Sequence, residues 1–275
     1  MVTVHAIRTG SVRVRSAQPR RKPGGLVRVL FDRAWAAWLP IYAWVIRHPS
    51  GTIVVDTGET ARATEPGYFP RWHPYYRRAV RMEVQPEQEI GPQLRALGID
   101  PSTVRTVIMT HLHTDHAGGL GHFPSSEIRV NQREWRTARG PAGRLLGYLP
   151  DRWPPWFAPV PIAFTKEPFG PFPSHVRVTR EGDVLIVPTP GHTPAHVSVI
   201  VRTPEAHYFL AGDATYSQSL LLEGHPDGVS PRPSVTVATM ERILRYAREV
   251  PTVYLPSHDP ASASRLERAE TLTVP

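Results

Sequence analysis

The stretch VRTVIMTHLHTDHAGG, from Val104 to Gly119, constrains the fold more tightly than any other part of the chain. Its first half, Val104 to Thr110, is rich in β-branched residues and lacks apolar–polar alternation, so it reads as a strand covered on both faces. Such a strand belongs in a sheet flanked by helices, which points to an α/β fold. Its second half crowds His111, His113, Asp115 and His116 onto one turn. On that turn His111 and His113 can point alike while Asp115 and His116 face an adjacent position. The segment can therefore serve two cations side by side.

The rest of the chain supplies the partners of that strand. Val2 to Ile7 and Val12 to Val14 read as strands, and IYAWVIRHPSGTIVVDTG reads as a hairpin turning at Pro49, Ser50 and Gly51. Pro86 to Leu97 is expected to be helical, with Ile90, Leu94 and Leu97 on one face and Gly98 as a stop. Glu127 to Val130 reads as a strand and Gln132 to Ala138 as a helix. Nine prolines lie between Pro141 and Pro173, so that segment is expected to be a long irregular loop or lid. Strands resume at Val176 to Thr179, Val184 to Val187, His196 to Arg202 and His207 to Leu210. Ser234 is a candidate N-cap for a helix burying Val237, Met240, Ile243, Leu244 and Ala247. A final strand from Thr252 to Leu255 precedes a closing helix from Ala261 to about Ala269. At 275 residues the chain is read as one domain, 1–275, carrying the proline-rich aromatic loop at about 141–173.

Polar clusters recur where strands end: Asp56 in VVDTG, His192 in TPGHTPAH, Asp213 in FLAGDATY and His258 in YLPSHDP. Strand ends that share a sheet edge converge on one site although distant in sequence. The chain has no cysteine, so a metal must be held by nitrogen and oxygen. Zinc suits such ligands, and cobalt, manganese or iron are also accepted.

The HLHTDH run, with Gly118 and Gly119 after it, resembles the HxHxDH signature of the metallo-β-lactamase superfamily. His192, Asp213 and His258 follow in that family's order, and the likeness spans about residues 40 to 260. It implies an αββα sandwich, two mixed β-sheets flanked by helices, with two divalent metal ions at one edge. By the same resemblance His111, His113 and His192 would hold one ion, Asp115, His116 and His258 the other, and Asp213 would bridge them. Asp56 would orient a ligand histidine from behind. The implied reaction is attack on an ester-like bond by a hydroxide bridging the metals.

Tyr216, three residues after Asp213, makes the resemblance narrower. The Asp-x-x-Tyr arrangement is similar to that of the N-acyl homoserine lactone lactonases, the quorum-quenching group. It implies that Tyr216 donates to the substrate carbonyl and that Asp115 returns a proton to the opened ring. An acyl lactone also needs an apolar channel, for which Trp35, Trp38, Phe69, Tyr148, Trp153, Trp156 and Phe157 are candidates. Packing in the core or at a dimer interface is the equal alternative for these rings. Rival activities are other esterases, lactonases, phosphotriesterases and thioesterases of this fold, or a one-iron dioxygenase.

The net charge of +8 raises nucleic acid as a partner, but the arginines are scattered and no binding motif accompanies them. The densest group, Arg13 to Lys22, reads as an exposed loop. A small acyl lactone or ester is the expected partner, and a homodimer stays open. His5, His48, His73, His122, His175, His207 and His225 have no partner at ligand spacing and are read as structural or surface groups. The N-terminus lacks a basic segment followed by an apolar stretch, and no run of eighteen apolar residues occurs, which reads as a cytoplasmic protein without a membrane partner.

Overall fold

The computed structural model describes residues 2–275. Alternation along the strands decides the layering. In the strand Leu39–Arg47 (β2), Tyr42, Trp44 and Ile46 face one side while Ala43 and Val45 face the other, and all five are buried. A strand buried on both faces must lie inside a layered stack. The same division holds in the last strand, Thr252–Pro256 (β12), where Val253 and Leu255 face one layer and Tyr254 the next.

Two mixed sheets result. The first also contains Thr3–Val14 (β1), Ile53–Val55 (β3), Val80–Glu83 (β4), Thr106–Ile108 (β5), Glu127–Val130 (β6) and Val160–Pro161 (β7), in the order β4-β1-β2-β3-β5-β6-β7. Val176–Arg177 (β8), Val184–Pro188 (β9), Val197–Arg202 (β10) and His207–Gly212 (β11) form the second with β12, in the order β12-β11-β10-β9-β8. β3, β5, β6 and β7 run parallel, as do β11 and β12, while the other pairs are antiparallel. Trp44, Ile108, Ile186, Val199 and Leu255 fill the space between the sheets. Outside, the helix Ile90–Ala96 covers one sheet through Ile90 and Leu94, and Pro233–Glu249 covers the other through Met240, Ile243 and Tyr246. Burying each such large apolar side chain is worth about 1.5–3 kcal/mol. The architecture is the expected αββα sandwich.

Several expected boundaries move, each for a local reason. The two N-terminal strand pieces are one strand with an irregularity between Arg8 and Ser11. The stretch from Pro86 is a short 3-10 turn, Pro86–Gln88, and the α-helix begins only at Ile90. Pro92 accounts for the break, because proline fits an α-helix only in its first turn. The long helix starts at Pro233, one residue before Ser234, and Ser234 does not cap it. Proline at the first helical position is pre-set for that role. The proline-rich loop holds two 3-10 turns, Arg144–Leu146 and Pro150–Arg152, and the two-residue β7. No helix among the described residues is long and apolar enough to cross a membrane.

Candidate active site

β5 delivers the histidine turn to one edge of the sandwich. Met109 N still donates to Arg129 O of β6, but at Thr110 a side chain takes over: the Asp56 carboxylate accepts from Thr110 N at 2.8 Å and from Thr110 Oγ1 at 2.8 Å. Its Oδ2 also lies 2.8 Å from His116 Nδ1. Asp56 itself sits at φ 59°, a left-handed backbone that aspartate tolerates better than most residues. One carboxylate thus fixes the start of the turn and the ring of its last histidine. Thr114–Ala117 then form a single helical turn. Gly118 follows because a Cβ there would lie 2.2 Å from Glu59 Oε1 and 2.8 Å from the Glu59 backbone.

The second sheet brings the remaining groups. His192 lies in the turn after β9, Asp213 directly after β11 and His258 directly after β12. Gly212 has φ 56° and a Cβ there would meet His196 Nε2 at 2.7 Å, so only glycine permits this approach. His196 is not among the converging groups. Its Nε2 accepts the Asp213 backbone N–H at 3.0 Å, and its Nδ1 pairs with Thr189 Oγ1 at 2.9 Å. It therefore holds the Asp213 backbone in place.

The seven side chains meet. Ligand atoms of His111, His113 and His192 lie within 4.8 Å of one another, as do those of Asp115, His116 and His258, and those of His111, His116 and Asp213. Asp213 lies 3.3 Å from His116 Nε2, 3.4 Å from His192 Nε2 and 3.3 Å from His258 Nε2, so its carboxylate touches both outer triads. Three atoms test whether a cation fits. His111 Nε2, His116 Nε2 and Asp213 Oδ1 are buried without a hydrogen-bond partner. Leaving buried polar atoms unpaired costs about 1–3 kcal/mol each. An all nitrogen-and-oxygen donor set with unused lone pairs turned inward fits divalent cations.

Burial and charge divide the imidazoles into two populations. Burial, with neighbouring histidines, holds His111 well below its ordinary value and brings His113 down to about 4. Burial also opposes charging of His116 and His258, but Asp213 outweighs it, helped by Asp56 at His116 and by Asp115 at His258. His116 is held well above its ordinary value and His258 is raised to about 10. At His192 burial is likewise outweighed by Asp227 and Asp213, and the ring is raised.

Asp227 is a site residue that the sequence does not announce. Its Oδ2 lies 3.2 Å from His192 Nδ1, and its position is locked by Ser230 N, Ser230 Oγ and Val229 N. Carboxylates behind a ligand histidine fix the ring and raise its basicity. Asp227→Asn is expected to weaken divalent-metal affinity about 10- to 100-fold, measured by competition with a chromophoric chelator. Unchanged affinity would remove Asp227 from the site. Glu134 was equally hidden. Its carboxylate accepts from Leu112 N, Tyr148 Oη and Thr193 Oγ1, tying the histidine turn, the proline-rich loop and the His192 turn together.

Beside the cluster opens a cavity of about 200 Å³ that Asp115, His113, His192, Asp213 and Tyr216 help to line. The Tyr216 ring stacks on His258 at 5.3 Å, 22° from parallel. The apolar wall differs from the one expected. Tyr148 is on it, but the others are Leu26, Leu30, Tyr75, Tyr76, Met82 and Leu146. Trp153 packs against Trp135 and Phe157 instead, Phe69 stacks on Tyr76, and Trp35 sits among Arg13, Arg15 and Arg81. Trp156 is 41% exposed and Trp38 37%. Phe69, Trp153 and Phe157 find partners in other aromatic rings, and Trp35 and Trp38 in guanidinium groups. His73, read as structural or surface, lines the cavity.

Fold and site together define a class, the metal-dependent hydrolases built on an αββα sandwich. The family model described as the metallo-beta-lactamase superfamily matches residues 36–258. The chain belongs to the metallo-beta-lactamase superfamily. It is 29% identical over 242 residues to N-acyl homoserine lactonase AttM of Rhizobium radiobacter, covering 84% of this chain and 86% of that one. The N-acyl homoserine lactonase of Bacillus thuringiensis is 26% identical over 231 residues, covering 80% and 82%. Among solved structures, an N-acyl homoserine lactone hydrolase with N-hexanoyl-L-homoserine at its catalytic metal centre superposes with a TM-score of 0.75 at 21% identity, covering 100% of this chain and 98% of that one. A dizinc quorum-quenching lactonase, AidC, gives 0.63 at 13% identity, covering 94% and 88%.

Proposed function

We propose that this hydrolase opens the lactone ring of N-acyl homoserine lactones, acting as one catalytic unit over residues 1–275. The observation that carries the reading is that Asp115 and Tyr216 share one apolar-walled cavity with the imidazole cluster. The lactonases of similar sequence support the choice of substrate. His111, His113 and His192 would hold one divalent cation, Asp115, His116 and His258 a second, and Asp213 both, with zinc the best-suited ion. Such a pair supplies a water acidified toward neutral pH and a Lewis acid for the carbonyl.

The chain's own residues do the rest. The phenol of Tyr216 donates to the lactone carbonyl oxygen as it gains charge, a preorganised contact beside an apolar wall. Burial, reinforced by Asp213, raises the phenol well above its ordinary value, so it keeps its proton at neutral pH. Asp115 is the reverse case. Its burial opposes ionisation, but His258 and His116 outweigh this and bring it down to about 2. It therefore begins as a base, takes a proton from the attacking water and returns it to the ring oxygen as the acyl carbon–oxygen bond breaks. The products are balanced as one N-acyl homoserine for one lactone and one water. Leu26, Leu30 and Met82 give the acyl chain an apolar wall.

The test is hydrolysis of an N-acyl homoserine lactone by protein of measured metal content, beside a chelated control, an aryl ester, a phosphotriester and a thioester. Lactone is expected to be turned over best and the chelated sample to be inactive. Tyr216→Phe should lower kcat about 10²- to 10³-fold at full metal content, the usual cost of one oxyanion donor. Wild-type rates in that variant would eliminate the donor role.

A further inference from the structure

Arg13 to Lys22, expected to be an exposed loop, instead carries a buried side chain into the site. The Asp32 carboxylate pins this loop by accepting from Ser16 Oγ at 2.7 Å and Ala17 N at 2.8 Å. Burial opposes ionisation of Asp32, but its hydrogen bonds from Ser16, Ala34, Ala17 and Lys22 outweigh that and hold it down at about 2. On the other side Gly228 N donates to Gln18 O at 2.7 Å, and Arg21 N to Pro226 O at 2.9 Å. The loop is thereby fastened to the segment that holds Asp227. Gln18, 3% exposed, is the result.

The Gln18 amide spends both its hydrogens on phenols. Its Nε2 donates to Tyr216 Oη at 2.7 Å and to Tyr75 Oη at 2.9 Å. Both rings line the cavity with Asp115 and Asp213. A phenol oxygen can accept and can donate. With the accepting role filled by an amide N–H, the O–H must donate elsewhere. Among the described residues neither phenol donates a hydrogen bond, and Gln18 Oε1 is buried without a partner, so the amide meets the phenols through its N–H groups alone.

We propose that Gln18 is a positioning residue that turns Tyr216 into an obligate hydrogen-bond donor to the substrate, with Tyr75 held the same way beside it. The inference rests on the lactone-opening reading and assigns its oxyanion contact a preset direction. An amide donating into the phenol oxygen also polarises the O–H and makes it a stronger donor, as in any hydrogen-bonded chain. The phenol then has no need to reorient when the carbonyl gains charge.

Two variants separate this role from mere packing. Gln18→Leu keeps the bulk and removes the donor, whereas Gln18→Glu offers a carboxylate that accepts the phenol hydrogens and turns them away from substrate. The expected order of kcat is wild type above Gln18→Leu above Gln18→Glu, with losses of about 10-fold and 100-fold, at unchanged metal content and little change in KM. In a Tyr216→Phe background either Gln18 substitution should cost less than about threefold more, because the group it positions is gone. Should Gln18→Glu not fold, the Leu series and its cycle with Tyr216→Phe decide alone. Undiminished losses in the Phe background, or wild-type kcat in the folded Gln18 variants while Tyr216→Phe is impaired, overturn the positioning role and leave the lactonase reading standing. An unimpaired Tyr216→Phe overturns the oxyanion-donor role and the positioning role with it, whereas only a metal-loaded natural chain that turns over no lactone overturns the lactonase reading.

Discussion

Raising the pH from 6 to 8 is expected to tighten divalent-metal binding by at least about 10⁴-fold, read as the affinity for the pair of ions. His116, held well above its ordinary value, and His258, raised to about 10, both carry a proton at pH 7 in the metal-free protein. Each must lose it to offer a lone pair. His111 and His113 are held low and already offer theirs. These two rings release about two protons per pair of ions and His192, raised as well, adds to them, so affinity changes at least about 10²-fold per pH unit. The side made by Asp115, His116 and His258 should carry most of that dependence, since it holds the two most strongly raised rings. Calorimetry in buffers of different ionisation enthalpy counts the protons, and a pH-independent affinity would refute the charge state assigned to the site.

The same shifts fix the stability of the metal-free fold, with opposite signs. Raised groups such as His258 stabilise fully below about pH 6.5, and that contribution is lost as pH climbs through about 10. Lowered groups behave the other way. His113 and His196, brought down to about 4 and about 3, stabilise above about pH 6.5 and lose this as pH falls through those values. The metal-free protein is thus most stable near neutrality.

How much of this was readable from residues alone follows from the range of each interaction. β-branched runs bounded by Pro, Gly and Asp turns mark strands locally, so β2, β3, β5 and β6 stand close to where the sequence puts them. A boundary set by a partner is less visible. β5 shrinks to three residues because a 3-10 turn, Pro101–Thr103, runs up to Val104 at one end, and at the other Asp56, fifty-four positions upstream of Thr110, takes the Thr110 N–H. The imidazoles and carboxylates were visible because they cluster at strand tips. Asp227, Glu134 and Gln18 were not, because each acts through hydrogen bonds to residues distant in sequence and sits in unremarkable local sequence. A buried Gln inside an arginine-rich loop looks like surface until Asp32 and Gly228 are seen to fasten it. The aromatic residues misled for a related reason: ring count says that partners are needed, not which ones.

Asp213→Asn is expected to lower kcat at least about 10³-fold and to flatten the pH dependence of metal binding. Asp213 is the carboxylate that touches His116, His192 and His258 together, so it belongs to both halves of the site. An amide of the same shape keeps the bulk and leaves the backbone N–H on His196, which preserves the local fold. What it removes is the charge. His116, His192 and His258 each lose the attraction that offsets their burial, so their proton affinities fall toward those of His111 and His113. Fewer protons would then leave on metal binding, and on the proposed assignment two ions would lose the carboxylate that both would share. The loss in kcat corresponds to about 4 kcal/mol, the scale on which water acidification and carbonyl polarisation by a metal act. Metal content by elemental analysis, the proton count by calorimetry and lactone turnover read the three effects on one preparation. A variant that retained two ions, released two protons and turned over within tenfold of the natural chain would mean that Asp213 is not the group joining the two halves.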